Sequence, residues 1–187
     1  MRFALPVIRT ANASLRLWLV CFAVFTATIA RPIETHGTVS AQDVGIAIGA
    51  KGPGGPLETL DGKKVDLSTY LAAAAGKTPV VIEFWATWCE NCKHLEPSMR
   101  AAMAKYAAQV KFITIAVSIN QSIERVKAWQ AINKLPGDML YDRKGQVAGD
   151  YDAPATSYVV IIDKSGKVVY TGTGGTQNID AAVKKAL

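Results

Sequence analysis

The stretch "VVIEFWATWCENC", residues 80–92, narrows the choice of fold more than any other part of the chain. Residues 80–86 form a β-branched and aromatic run long enough for a fully buried strand. Residues 89–109 follow with a helical pattern, and Pro97 inside that pattern predicts a kink. A buried strand feeding straight into a helix implies a sheet covered on both faces. The run also contains an acid. In a strand, Val81, Glu83 and Trp85 share one face, and Val80, Ile82 and Phe84 share the other. With both faces buried, the Glu83 carboxyl is desolvated and its pKa rises; at a strand edge it would instead reach solvent.

Cys89 and Cys92 admit three chemistries: a metal site, a structural disulfide or a reversible redox pair. As a fold staple the pair is weak, because bridging residues this close constrains the unfolded chain little. Zinc sites usually take four Cys or His ligands, and beyond residue 41 the chain offers two cysteines and His94. His94 lies two residues past Cys92, so a helix points it to nearly the opposite side. A copper(I) ion held by two thiolates remains open. For redox work the placement is favourable. Cys89 sits at a helix N-terminus, where unpaired N–H groups and the helix dipole favour a thiolate. Cys92, one turn on, is expected deeper and less accessible. One sulfur then forms the mixed disulfide and the other resolves it. Glu83 is placed to take the proton of Cys92.

The 187 residues carry 21 Lys and Arg against 15 Asp and Glu. The N-terminus reads as an export signal. Arg2, Arg9 and Arg16 precede the uncharged run at 17–30, which is short of the roughly 20 residues needed to span a bilayer. Val39-Ser40-Ala41 then offers a small-residue cleavage site. Residues 1–41 are therefore expected to be a signal peptide, with an uncleaved membrane anchor as the alternative. Cys21 follows Val20 where lipid attachment wants a small residue, so lipidation is not expected. Removing 1–41 leaves 146 residues with a net charge of +3, enough for one cored domain. No Lys/Arg cluster or stripe remains, which argues against nucleic acid as a partner. The protein is expected outside the cytoplasm, touching a membrane only if the N-terminal segment is retained.

Residues 42–56, rich in Gly and Pro, read as a flexible leader. Asp61-Gly62 predicts a hairpin turn, and Ser68 is a candidate cap for a short helix ending at Gly76. Residues 111–119 form a second buried strand. Residues 122–133 form an amphipathic helix through Ile123, Val126, Trp129 or Gln130, and Ile132. A short strand at 139–141, a brief helical stretch at 146–151, and two strands joined by the turn 163–166 come next. Asn178 is expected to cap the last helix. The fold class is α/β: a mixed central sheet flanked by helices, with an N-terminal hairpin and a helix–strand insertion, in one domain at 57–187.

"FWATWCENC", the Pro five residues after Cys92, and "APAT" before a strand closely resemble the thioredoxin-like family. The hairpin "LDGKKVDLS", the inserted "SINQSIERVKAWQAINKL" and "VVIIDKSGKVVYTG" resemble its exported TlpA/ResA branch. The resemblance implies a thioredoxin fold and thiol–disulfide exchange through Cys89 and Cys92. Glu83 then stands where thioredoxins carry their buried acid. Pro154 stands where they carry a cis-proline against the disulfide, and Ala153 before it would offer backbone groups to a substrate strand. The interval from Pro154 to Gly166 is longer than is usual in that family. An odd insertion there would flip the faces of a strand unless a bulge absorbs it.

Glu90 and Asn91 lie between the cysteines as redox-tuning candidates. A carboxylate beside Cys89 opposes its thiolate and disfavours strongly oxidising behaviour. Trp88 is expected to shield the disulfide at the substrate-binding surface, with Lys93 and Glu96 as solvated helix-face charges. These readings converge on an extracytoplasmic enzyme that reduces protein disulfides, fed by an upstream thiol donor and using no cofactor beyond its own cysteines. Cytochrome c maturation and metal-site assembly are candidate settings. A copper metallochaperone using the same cysteines is the alternative. A peroxide-consuming redoxin is a third reading, for which no oxyanion-type motif surrounds Cys89.

Overall fold

A computed structural model describes residues 45–187; the expected signal segment and its cleavage site lie outside the described residues. Seven strands form one sheet: β1 (Pro56–Thr59), β2 (Lys64–Asp66), β3 (Val80–Trp85), β4 (Lys111–Val117), β5 (Asp138–Asp142), β6 (Tyr158–Ile162) and β7 (Val168–Gly172). Their spatial order is β2-β1-β5-β4-β3-β6-β7. β3 runs parallel to β4 and antiparallel to β6, which buries it on both edges as well as both faces. The helices are α1 (Leu67–Ala74), α2 (Glu90–Tyr106), α3 (Ile123–Asn133), α4 (Gln146–Asp150) and α5 (Ile179–Lys184).

The alternation along β3 sorts the core. Val80, Ile82 and Phe84 join α1, α4 and part of α3 in one apolar cluster. Val81 joins Leu95, Met99, Ala102 and Met103 of α2, with Ile179, Ala182 and Val183 of α5, in the other. All six β3 residues are buried. This is the mixed α/β sheet expected from the sequence.

Several local expectations are refined. The α1 cap is Asp66, not Ser68: the Asp66 carboxylate accepts from the Ser68 and Gly55 amides, so one side chain ties two segments. Asn178 caps α5 as expected, accepting from the Ala181 amide. Ile132, assigned to the apolar stripe of α3, is exposed, and only Ile123, Val126 and partly buried Trp129 face the core. The lysine after this helix turns left-handed at Lys134 and ends it one residue past Asn133.

Residues 45–55, expected as a flexible leader, are instead strapped onto the domain. The Ile46 amide donates to the Tyr151 carbonyl, Gly49 to Val168 and Gly52 to Gly166, and Lys51 bridges Lys167. Two buried tyrosines fasten the strap. The Tyr158 hydroxyl accepts from the Ile46 amide at 3.0 Å, and the Tyr151 hydroxyl donates to the Pro53 carbonyl at 2.9 Å. Phe84 packs between these rings. Gly45 has φ +87 and touches the Tyr158 hydroxyl so closely that a side chain there would collide. Composition had suggested looseness; tertiary hydrogen bonds from 98 and 112 residues away override it.

Tyr158→Phe should cost about 1 kcal/mol through the lost hydrogen bond. Urea denaturation would read that loss, and amide exchange should accelerate at Ile46 more than at the strands of the sheet.

Candidate active site

The end of β3 delivers the chain through residues 86–88 to Cys89, the N-cap of α2. Cys89 and Cys92 are joined as a disulfide, with Cα atoms 5.3 Å apart. The Cys89 sulfur accepts from the Cys92 amide at 3.1 Å, so it satisfies one of the orphan donors of the first helical turn. When the bond opens, the same amides and the helix dipole face a Cys89 thiolate. In the disulfide form both cysteines are buried as whole residues, Cys89 4% exposed and Cys92 6%, so the deeper burial expected of Cys92 is not seen at that level. Both pack into the first core cluster, so the asymmetry is one of hydrogen bonding.

Trp88 covers part of this surface. It is 40% exposed, and its indole N–H donates to the Ile119 carbonyl at 2.8 Å, fixing the ring against the loop after β4. Ile119 beside it is 61% exposed. Glu90 and Asn91 are exposed. Glu90 is within 3.0 Å of Lys93 and 3.6 Å of His94. That pairing and the surrounding water offset much of the repulsion expected on Cys89. Lys93 is the solvated charge anticipated. Glu96 is not: its side chain is 26% exposed and lines a cavity with Glu83 and Cys92.

Glu83, 4% exposed on β3, lines a cavity together with Cys92. Desolvation pushes its pKa up to about 8, and the charge of Glu96 adds to the rise. Its β4 neighbour in register is Thr114, whose buried hydroxyl has no hydrogen-bond partner. Trp85, on the same face, packs against Trp129 of α3 at 4.5 Å between centroids.

Pro154 does not occupy the place assigned to it. It is exposed, four residues before β6, and no peptide bond among the described residues is cis. Ala153 packs against the first core cluster and gives its amide to the Ala148 carbonyl, so that N–H is already bound within the chain. The last β3–β6 pair is Phe84 with Tyr158. The residue that continues β6 toward the redox loop is therefore Ser157. It is fully buried, with left-handed φ of 61. That conformation costs a serine on the order of 1 kcal/mol. Hydrogen bonds hold it there: its hydroxyl accepts from the Gly174 amide and its carbonyl from the Gln177 side chain. The loop so held reaches α2, where Gly175 leaves no room for a Cβ against His94 and Asn91. The β6–β7 pairing that follows carries an irregularity of the kind anticipated, with its register shifting between Ile161 and Ile162.

Among the described residues, no group of three or more His, Cys, Asp or Glu is placed to hold a metal ion, and no helix is long and apolar enough to cross a membrane.

A family model described as the AhpC/TSA family matches residues 48–171. The chain belongs to that family. Within this thioredoxin-like family it is 31% identical over 141 residues to the thioredoxin-like protein YneN of Bacillus subtilis, covering 74% of this chain and 79% of that one. It is 30% identical over 139 residues to the thiol-disulfide oxidoreductase ResA of the same organism, covering 74% of each. Among solved structures, a secreted Mycobacterium tuberculosis disulfide oxidoreductase homologous to E. coli DsbE matches at a TM-score of 0.56 and 25% identity, covering 70% of this chain and 92% of that one. This member of the AhpC/TSA family is a thiol-disulfide oxidoreductase, an enzyme acting on protein thiols.

The raised Glu83 pKa fixes a pH dependence of stability. The folded state holds a proton that the unfolded state has released, so stability falls as pH rises from about 4.5 to about 8. The slope is at most about 1.4 kcal/mol per pH unit. In the disulfide form, where neither cysteine titrates, Glu83→Gln should flatten this slope in denaturation curves recorded across the range. An unchanged slope would contradict the burial described.

Proposed function

We propose that the enzyme works outside the cytoplasm as a reductase of protein disulfides, with Cys89 as the exchanging sulfur, Cys92 as the resolving one and Glu83 as the proton acceptor. The observation that carries this reading is the disulfide at the α2 N-terminus, with Cys92 lining one cavity together with the buried, proton-retaining carboxyl of Glu83.

The electrons come from an upstream thiol donor. A donor thiolate attacks the Cys89 sulfur, the Cys89–Cys92 bond breaks, and Cys92 leaves with its electron pair and takes the Glu83 proton. A second donor thiol displaces Cys89 as a thiolate. Cys89 then attacks a substrate disulfide; one substrate sulfur leaves and the other stays bound to Cys89. Cys92 gives its proton to the Glu83 carboxylate as it attacks Cys89, which re-forms the Cys89–Cys92 bond and frees the reduced substrate. The two substrate sulfurs gain two electrons from the donor dithiol, and their protons come from water.

Trp88 and exposed Ile119 flank the place where the substrate segment must lie. Substrates are proteins with disulfides or oxidised thiols; the cysteines of a cytochrome c apoprotein or of a metal site are members of that class. Export fits the secreted relative and the expected signal at 1–41.

Insulin disulfide reduction with a dithiol donor tests the reading. Cys89→Ser should abolish turnover, and Cys92→Ser should accumulate a mixed disulfide at Cys89 detectable by mass. Glu83→Gln should slow ring closure by about a hundredfold, the scale of a positioned base. A reduction potential near the roughly −120 mV of strong disulfide-forming oxidants would overturn the reducing direction. Stoichiometric copper(I) uptake with no dithiol turnover would favour the metallochaperone.

A further inference from the structure

The Glu83 carboxyl must exchange its proton with water between half-reactions, because the reduced enzyme waits for its substrate. The sheet, α2 and the disulfide enclose it. One cavity of about 20 Å³, lined by Glu83, Trp85, Thr87, Cys92 and Glu96 among others, joins it to the helix surface. That is room for about one water molecule.

Two polar atoms on residues lining this cavity are buried without a hydrogen-bond partner: the Trp85 indole nitrogen and the Thr87 hydroxyl. A buried donor left unpaired costs about 1–3 kcal/mol. Water seated there would bind both and reach the two carboxylates. Glu96 is held at the outer side. Its Oε1 accepts from Arg100 Nε at 2.7 Å, and Arg100 Nη2 donates to the Asn133 carbonyl at 2.7 Å, pinning the pair to the end of α3. The charged groups bordering the path are Glu83 from β3, and Lys93, Glu96 and Arg100 from α2. Lys93 is engaged by Glu90. From α3 the path meets Trp129, and from β4 Glu83 faces neutral Thr114.

We propose that Glu96 is the outer carboxylate of a two-carboxylate proton path, passing protons between Glu83 and solvent through water in the cavity lined by Trp85 and Thr87. Glu96 touches no reacting sulfur; it is a positioning residue that acts through Glu83, and its role rests on Glu83 serving Cys92 as described above. Near neutrality Glu83 already holds a proton and must release it before it can accept that of Cys92. The released proton goes to Glu96 and then to water, while Cys92 closes onto Cys89 and the substrate sulfur leaves as a thiolate.

Stopped-flow closure of the reduced enzyme on excess glutathione disulfide, followed across pH, tests this. Gln is isosteric with Glu and still accepts from Arg100. Glu96→Gln should therefore slow closure about tenfold near neutral pH. At a pH well above the Glu83 titration the loss should vanish, because Glu83 is then ionised and accepts directly. If Glu96 acted only through its charge, its removal would ease Glu83 ionisation and leave closure unchanged or faster near neutrality; that result overturns the path. Equal slowing at every pH marks a structural role and also overturns it. Glu83→Gln run in parallel separates the two claims. Closure at the wild-type rate in that variant would remove the acceptor role itself, whatever Glu96 does.

Discussion

The interaction on which the rest depends is the handover from β3 to α2. The strand is paired on both edges and covered on both faces, so its end cannot shift relative to the core. Cys89 inherits that rigidity as the residue capping the helix. A thiolate formed there meets amides already pointing at it, with no reorganisation needed as charge develops. The cost of this arrangement is a carboxyl buried one layer below. Glu83 destabilises the fold at alkaline pH, and a neutral side chain would pack with less penalty. A buried acid with a strongly raised pKa beside a cysteine pair is the pattern of a functional group.

Two opposing electrostatic influences meet at this junction. The α2 N-terminus favours negative charge on Cys89, whereas Cys92 lines a cavity with the Glu96 carboxylate and with Glu83, which keeps its proton near neutrality. The two cysteines, one helical turn apart and both buried, therefore have different surroundings. Glu90, the obvious tuning residue by position, contributes less because Lys93 sits one turn on and pairs with it.

Much of this was legible before any coordinates. The buried run at 80–85, the abrupt change to helical spacing after Cys89, the Asp61-Gly62 turn and the Asn178 cap all depend on neighbours close in sequence, and they came out as expected. The α1 cap apart, where Asp66 two residues away displaces Ser68, failures occurred where distant residues decide. Residues 45–55 read as loose because Gly and Pro dominate them, yet Tyr151 and Tyr158 bind them from across the chain. Glu96 read as a surface charge because its helix face is set by α3 packing against α2 through Arg100. Pro154 takes its assignment from the resemblance carried by "APAT" before a strand. The register of β6 against β3 puts Ser157 next to the strand instead, and register is a property of the pairing, invisible in either strand alone.

The strap at 45–55 sets a limit on how far the N-terminus can be shortened. A protease acting at Ala41 would cut just ahead of it and leave every hydrogen bond of the strap in place. Cutting a dozen residues further on would strip the covering from two tyrosine hydroxyls and bare the aromatic wedge beneath the sheet. A shortening that keeps these hydrogen bonds must therefore stop before Ile46.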